Sequence, residues 1–252
     1  MSKSSVLFPS ALVLSLFSVT AHADWSSQGE IGFVAARGNT ATETANAKFQ
    51  IVRESEKWKN LFAASGLYGR SSEIETAQRW DLRDQLDYNF SEKNFSFVAG
   101  RYEDDDYSGF SYQGTISAGF GRKFFDTDRT KLTTQIGAGY RSLRPEDLVR
   151  DENDAVIARI PGDREKDIVA NAALTFEHAF NDNTKILNQF LIESGEANTL
   201  TRNDLSLQVK MNSVLALSLG YSVRNNSEPL PDLKKTDTLT TVNLVYSRPL
   251  GP

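Results

Sequence analysis

Apolar and polar residues alternate with a period of two along most of this chain, and that alternation limits the possible folds more than any other feature. The clearest segment is 44–51, whose apolar face carries Ala45, Ala47, Phe49 and Ile51 and whose other face is polar. A strand with one apolar and one polar face, repeated around a closed sheet, is how a β-barrel crosses a membrane. The pattern predicts an all-β fold, a transmembrane antiparallel up-and-down β-barrel of about 12 strands.

The N-terminus has a different composition from the rest of the chain. Lys3 supplies a positive charge, an apolar stretch runs from Val6 to Val19, and Ala21-His22-Ala23 has the small-x-small pattern of a cleavage site. We therefore expect residues 1–23 to be a signal peptide, 24–247 to be the barrel, and 248–252 to be a C-terminal tail. Outer-membrane barrels commonly end on an aromatic residue that the assembly machinery recognises. Here Tyr246 is followed by six further residues.

Composition excludes several classes of function. The chain has 28 Lys and Arg residues against 33 Asp and Glu, a net charge of −5, so it has no excess of basic residues with which to bind nucleic acid. It contains no cysteine, which excludes disulfides and cysteine-ligated zinc. We expect no cofactor and no resident metal ion.

The connections between the candidate strands alternate in length. If the N-terminus lies in the periplasm, the short turns are periplasmic and the longer loops, of which 145–165 is the longest, are external, as in known outer-membrane barrels. Aromatic residues cluster at both ends of the strands, as membrane-interface girdles would. Those at the short-turn end are Trp58, Phe90, Phe95, Phe124, Phe125 and Phe180, and those at the opposite end are Tyr68, Trp80, Tyr102, Tyr112, Tyr140 and Tyr221.

A soluble secreted β-sandwich or a periplasmic barrel is the alternative, because soluble sheets also alternate. The many Ala and Gly residues on the apolar face and the persistent charge on the other face favour the membrane barrel. Three segments, 58–69, 95–102 and 185–193, have no clear facing. Asp84 breaks the pattern by standing on the apolar face of its strand.

The polar face carries the residues that would line the lumen. The candidates are Lys48, Asp81, Arg83, Asp87, Arg141, Glu177, Asp204, Lys210 and Arg224. They are compatible with a narrow passage for small charged or zwitterionic solutes. They are equally compatible with an ion-pair network that fills the barrel, since about twelve strands is intermediate between small filled barrels and open porins. The filled or very narrow lumen is favoured slightly.

Other candidate chemistry is weaker. A lipid hydrolase would need a Ser–His pair, and His178, the histidine that follows the signal segment, is expected to face lipid, so we expect no enzyme activity. The acidic groups Asp104-Asp105-Asp106 and Asp147-Asp151-Glu152-Asp154 could bind divalent cations but lack an EF-hand pattern. Arginines beside the longest loop could contact lipopolysaccharide phosphates; these are Arg144, Arg150, Arg159 and Arg164.

Both ends of the expected barrel resemble a known family. Gly29-Glu30-Ile31-Gly32-Phe33 followed by Arg37-Gly38-Asn39-Thr40 is similar to the opening of the salt-induced, YdiY-like outer-membrane proteins, and the stretches 220–226, 229, 234–238 and 242–246 are similar to their end. The resemblance implies a Gram-negative outer-membrane barrel of undetermined biochemical function, linked to salt stress. We expect the barrel to be a monomer with a salt- or envelope-stress role, whose partners are outer-membrane lipid, lipopolysaccharide and the barrel-assembly machinery. It transfers no catalytic residue.

Overall fold

The computed structural model describes residues 24–36, 42–71, 74–106, 110–152, 156–196, 198–229 and 234–250, and the predicted signal peptide lies outside them. The described residues form thirteen β-strands. Their bounds are β1 Asp24–Ala36, β2 Thr42–Glu54, β3 Trp58–Ser71, β4 Ile74–Asn89, β5 Asn94–Asp105, β6 Phe110–Asp126, β7 Thr130–Arg150, β8 Val156–Pro161, β9 Glu165–Ala179, β10 Thr184–Ser194, β11 Thr199–Lys210, β12 Leu215–Asn226 and β13 Thr236–Leu250.

Twelve of these strands close into one antiparallel barrel. Each strand pairs with its sequence neighbours except at β8, where β7 pairs directly with β9, and β1 pairs with β13 to complete the ring. The predicted up-and-down barrel of about twelve strands is thereby confirmed. Strand β13 extends to Leu250, which pairs with Trp25, so residues 248–250 of the predicted tail belong to the closing strand. No helix in the described ranges is long and apolar enough to cross a membrane.

The strand that stays outside the ring is β8. It forms a hairpin with the end of β7, which extends beyond the barrel. Pairing of β7 with β6 ends at Pro145, and from Glu146 onwards β7 pairs with β8 instead. The sequence alone predicts a loop over 145–165, whereas most of this stretch is regular strand, in 145–150 and 156–161. Arg159 of β8 forms an ion pair with Asp106 at 2.5 Å, which ties the hairpin to the connection between β5 and β6.

The short turns share one local device. In each, a Ser, Thr or Asn side-chain oxygen accepts a hydrogen bond from the backbone N–H three residues later, a role for which short polar side chains are suited. The capping residues are Ser55, Ser91, Thr127, Asn181 and Asn212, with N···O distances from 2.8 to 3.2 Å. Five consecutive turns at the same end of the barrel are therefore fixed by local sequence alone.

The outer face of the barrel is apolar, as the alternation predicts. Along most of the barrel strands the large, apolar, exposed side chains follow one parity, as with Ile116 and Phe120 on β6 and Leu217 and Leu219 on β12; Val34 and Phe125 are exceptions near strand ends. Since paired residues on neighbouring strands face the same side, the register carries this apolar face around the ring. An exposed apolar belt of this kind is the surface of a barrel that stands in lipid.

The three segments of unclear facing are resolved by the register. On β5, Phe95 and Phe97 point inward and are buried, at 3 % exposure each, while Val98 faces outward. Placing Phe95 in the aromatic girdle at the short-turn end is therefore wrong. On β3 and β10 both faces carry apolar residues, because the interior wall there is itself partly apolar, with Leu61 and Leu187 on the inner parity.

Asp84 does stand on the outer face, between exposed Leu82 and Leu86. Its carboxylate Oδ1 accepts a hydrogen bond of 2.9 Å from Nδ2 of Asn60 on β3, which also faces outward. Asp84 is four residues from Trp80 and four from Tyr88, which are exposed on the same face of β4, so it lies midway between these two aromatic residues of the apolar belt. The exception to the alternation is thus a hydrogen-bonded polar pair directed at lipid.

Candidate functional site in the barrel interior

An ion pair crosses the interior between opposite walls of the barrel. Nη1 and Nη2 of Arg224 on β12 donate to the two carboxylate oxygens of Glu103 on β5, at 2.7 Å each. Five strands separate β5 from β12 in either direction around the ring. Since the two strands lie on opposite sides of the barrel, the two side chains together bridge the lumen.

A second contact joins another pair of opposite strands. Nη1 of Arg202 on β11 lies 3.7 Å from Oδ1 of Asp81 on β4, and β4 and β11 are again separated by five strands either way. Arg202 is held by Nε donation to Asp204 at 2.7 Å, and Asp81 accepts from the Ser65 hydroxyl at 2.6 Å. The lumen is therefore spanned along two diameters.

Further pairs join these two bridges into a layer. Arg101 on β5 contacts Glu103 on its own strand at 3.0 Å and Glu193 on β10, and Asp105 lies 3.6 Å from Arg224 and 3.7 Å from Arg79. Glu103 and Glu193 are both buried, at 8 % and 4 % exposure. Most of these residues stand near the strand ends that adjoin the longer loops. We call this set, which is Arg79, Asp81, Arg101, Glu103, Asp105, Glu193, Arg202, Asp204 and Arg224, the ion-pair layer.

Towards the short turns, one wall of the interior is filled by aromatic rings. Phe95 lies directly over Gly121, and Phe97 reaches towards Gly137. A Cβ on Gly121 would lie 2.1 Å from Cζ of Phe95, and a Cβ on Gly137 would lie 3.0 Å from Cζ of Phe97. Gly121 is therefore required for the Phe95 ring to fit inside the barrel, whereas a Cβ on Gly137 would first meet the backbone oxygen of Ala118, at 2.4 Å.

All nine residues expected to line the lumen follow the inner parity of their strands. Asp81, Asp204 and Arg224 come together in the ion-pair layer. Arg83 donates to Gln85 at 2.7 Å, and Gln85 donates to Asp87 at 2.8 Å. The amide side chain of Gln85 therefore bridges the two charged residues. The others stand apart from this group: Arg141 bonds to Asp167, Glu177 accepts from Lys185, and Lys48 and Lys210 are exposed.

The nine candidates omit partners that complete the layer. Glu103 lies just beyond the expected strand segment 95–102, and the facing of the segments with Arg101 and Glu193 is ambiguous. A signal was nonetheless present, since Arg101-x-Glu103 and Arg202-x-Asp204 place opposite charges two residues apart on one face of a strand. Extending the parity of Asp204 back by two residues would have placed Arg202 inside, whereas the ambiguous facing of β5 left Arg101 and Glu103 unassigned.

The Asp104-Asp105-Asp106 run does not form a joint cation site. Successive residues of a strand face opposite sides, so Asp105 points inward to Arg79 and Arg224, while Asp106 pairs with Arg159. Within the part of the chain that the structure describes, no group of three or more His, Cys, Asp or Glu residues could hold a metal ion. Asp154 and the side chain of Arg150 lie outside that part.

His178 stands on the outer face, among aromatic rings. Its Nδ1 lies 2.9 Å from Oγ1 of Thr130, its ring stacks on Phe176 at 6.4 Å, and Phe180 meets it edge-on at 5.2 Å. The hydrogen-bond partner is thus a threonine at the lipid-facing surface, not the serine that a lipid hydrolase would need.

Comparison with known sequences agrees with the resemblance drawn from the two ends of the barrel. Residues 29–247 match the family described as "Protein of unknown function, DUF481". The chain is also 22 % identical over 222 residues to the uncharacterized protein YdiY of Escherichia coli strain K12, an alignment that covers 86 % of this chain and 80 % of YdiY. The predicted family resemblance is confirmed.

Solved structures agree on the architecture. The translocator domain of the autotransporter NalP from Neisseria meningitidis is 12 % identical, with a TM-score of 0.50, and the match covers 89 % of this chain and 88 % of that one. The COG4313 outer membrane channel from Pseudomonas putida F1 is 9 % identical, with a TM-score of 0.47 over 92 % and 97 % of the two chains. The match to the NalP translocator domain supports a barrel fold of the outer-membrane type, and the matched sequence family indicates no enzyme.

Proposed function

The chain belongs to the DUF481 family of proteins of unknown function, and we propose from its own side chains that it forms a narrow pathway across the outer membrane that rests closed. One observation carries the proposal, namely that Arg224–Glu103 bridges opposite walls of the lumen. Small charged or zwitterionic solutes would pass when the pairs of the ion-pair layer exchange partners, because the layer offers both signs of charge along one path.

The chemistry of the layer suits a closed resting state. A bidentate Arg–carboxylate pair fixes both side chains, and burial makes each charge costly to leave without its partner. Arg101, Arg202 and Arg224 each contact two carboxylates of the layer. A solute with its own ammonium or carboxylate group could replace one of these contacts without leaving a buried charge alone.

Planar-bilayer recordings of the purified barrel test this function. We expect the wild type to show little steady current and the Glu103→Gln/Arg224→Gln variant to show frequent, stepwise openings. The matched control is Glu43→Gln/Arg70→Gln, because that pair also has short contacts, 2.8 Å and 2.7 Å, but lies exposed at the rim. A large steady current through the wild type, or silence of a folded Glu103→Gln/Arg224→Gln variant, would refute the closed pathway.

A second candidate function is a structural barrel with no transport. The aromatic rings of Phe95 and Phe97 inside one wall favour it, since buried rings packed against glycines leave that side filled. A role in salt or envelope stress, as the family resemblance implies, would then appear as a growth defect of a deletion strain in high salt or detergent. If the Glu103→Gln/Arg224→Gln variant shows no current in the bilayer and still complements that growth defect, the structural role is supported.

The proposal also includes the location of the barrel, its oligomeric state, its partners and a function without enzymatic activity. The apolar belt supports residence in the outer membrane as a monomer surrounded by lipid and lipopolysaccharide, after delivery by the barrel-assembly machinery. Arg164, whose guanidinium lies 5.8 Å from the ring centre of Tyr112, stands at the external end where lipopolysaccharide phosphates would be. The position of His178 beside Thr130 supports a function without enzymatic activity.

A further inference from the structure

Four buried polar atoms without a hydrogen-bond partner lie together on the inner wall. They belong to neighbouring strands β5, β6 and β7, and none bonds to another protein atom. The side chains are almost fully inaccessible, with exposures of 6 % for Gln113, 4 % for Thr115, 0 % for Arg141 and 10 % for the side chain of Arg101. The atoms are Arg101 Nε, Gln113 Nε2, Thr115 Oγ1 and Arg141 Nη1.

The register makes three of these residues direct cross-strand neighbours, and the fourth, Gln113, pairs with Glu103 and Leu143. Thr115 pairs with Arg101 on one side and with Arg141 on the other. Paired residues have Cβ atoms about 4.5–5.5 Å apart, so the short threonine stands between two long arginines. Gln113 is two residues along the same face of β6 and completes the group. We call this group of four side chains the Thr115 recess.

The two arginines of the recess are fixed by ion pairs and hydrogen bonds to residues outside the group. Arg101 is fixed by Glu103 and Glu193, and Arg141 donates from Nε and Nη2 to Asp167 at 3.0 and 2.6 Å and to the backbone oxygen of Asn198 at 3.1 Å. These contacts use other guanidinium atoms and leave Nε of Arg101 and Nη1 of Arg141 free. Buried donors without partners are rare in folded proteins, because each one lowers the stability of the fold.

The unused atoms are of one chemical kind. Three are N–H donors, two of them on cationic guanidinium groups, and the fourth is a hydroxyl that can donate as well. A single water accepts at most two hydrogen bonds and brings two O–H groups that themselves need acceptors. A halide or a carboxylate group accepts three or four donors and brings none, so it satisfies the recess where one water would not.

We infer that the Thr115 recess is a binding site for a small monovalent anion, either a halide or the carboxylate group of a solute. The inference deepens the proposed function, on which it rests only for the route by which the anion arrives, because the site borders the ion-pair layer through Arg101. The recess would then be a binding site, along the pathway, for the carboxylate group of a solute.

Anomalous diffraction from crystals grown in sodium bromide tests the site directly, and a second crystal grown in sodium formate tests the carboxylate. We expect bromide within hydrogen-bonding distance of Thr115 Oγ1 and of both guanidinium groups in the wild type. In the Thr115→Val/Gln113→Leu variant, which leaves every ion pair intact, we expect at least a tenfold loss of bromide affinity. Thr241→Val is the control, because Thr241 is also buried and inward-facing but belongs to β13.

The outcomes separate this inference from the proposed function. Water alone in the recess in both crystals, bromide only on surface arginines, or bromide unchanged in the Thr115→Val/Gln113→Leu variant each overturn the site. Formate without bromide would restrict the ligand to carboxylates, and bromide without formate would restrict it to halides; both support an anion site. A barrel that binds bromide in the recess yet never conducts would refute the pathway and leave the site standing.

Discussion

Phe95 on β5 and Gly121 on β6 are direct cross-strand partners, and the phenyl ring lies where a side chain at 121 would be. An aromatic ring that covers a glycine on the next strand is a known way to stabilise a sheet at a position without a side chain. We expect Gly121→Ala to destabilise the folded barrel by about 1–3 kcal/mol, because the ring must leave its position in a packed interior. Urea unfolding in lipid vesicles measures this.

The companion variant for that prediction is Gly121→Ala/Phe95→Leu. The smaller leucine leaves room for the new methyl group, so we expect it to recover at least half of the lost stability. If Gly121→Ala is as stable as the wild type, the ring and the glycine are not coupled in the way the distances imply.

Removing one partner of the cross-lumen pair should cost far more than removing an exposed partner. We expect Glu103→Gln to lower the free energy of unfolding by about 3–5 kcal/mol, because buried Arg224 loses most of its counter-charge. The control Glu43→Gln, in an exposed pair with Arg70, should cost about 1 kcal/mol or less. Equal effects of the two substitutions would contradict burial of the pair.

Asp84 offers a stabilising substitution. A carboxylate midway through a lipid-facing belt is unfavourable, so we expect Asp84→Leu to raise the free energy of unfolding by about 1–2 kcal/mol in vesicles. The reciprocal change Leu82→Asp, two residues along the same face, should lower it. A loss of stability or of native oligomeric state in Asp84→Leu would show that this face is covered by protein.

Docking of the β7–β8 hairpin should depend on pH through Glu146. Burial, reinforced by the nearby carboxylates of Asp106 and Asp104, raises the pKa of Glu146, and Arg159 and Arg144 partly oppose this. A raised pKa means that the docked form binds the proton more tightly than the undocked form. Its extra stability is therefore fully present below the ordinary glutamate pKa of about 4.3 and is lost as pH rises through the raised value.

Hydrogen exchange of the amides in 147–160, corrected for intrinsic rates, measures that docking between pH 4 and 7. We expect greater protection at the acidic end and no such trend in Glu146→Gln. Asp147→Asn serves as the control, since that carboxyl is exposed on the same strand. A trend that persists in Glu146→Gln would assign the pH dependence to another group.

The strands that could be predicted are those whose two faces meet different surroundings. On β6 the outward-facing residues meet lipid, and the inward-facing residues, such as Gln113 and Thr115, are polar, so apolar and polar residues alternate regularly. On β5 the interior itself is apolar around Phe95 and Phe97, so periodicity cannot distinguish inside from outside. The inner parity of the charged candidates followed from local pattern, because facing is a property of a single strand.

Which charges meet could not be predicted in the same way. Glu103 and Arg224 are 121 residues apart in sequence, and their contact depends on the number of strands and on the register of every strand between them. A shift of one residue in the register of a strand would move the polar face of that strand from the lumen to the lipid side. The β7–β8 hairpin was missed for a related reason: its pairing continues a strand already assigned to the barrel.

The two cross-lumen contacts have a mechanical consequence for the barrel wall. A closed sheet can become oval without breaking the hydrogen bonds between its strands, so this is the softest change of shape open to an empty barrel. Contacts that join β5 to β12 and β4 to β11 fix the length of two diameters and oppose that change. Lateral pressure from the surrounding bilayer is thereby transmitted to four side chains, whose separation is coupled to the cross-section of the barrel.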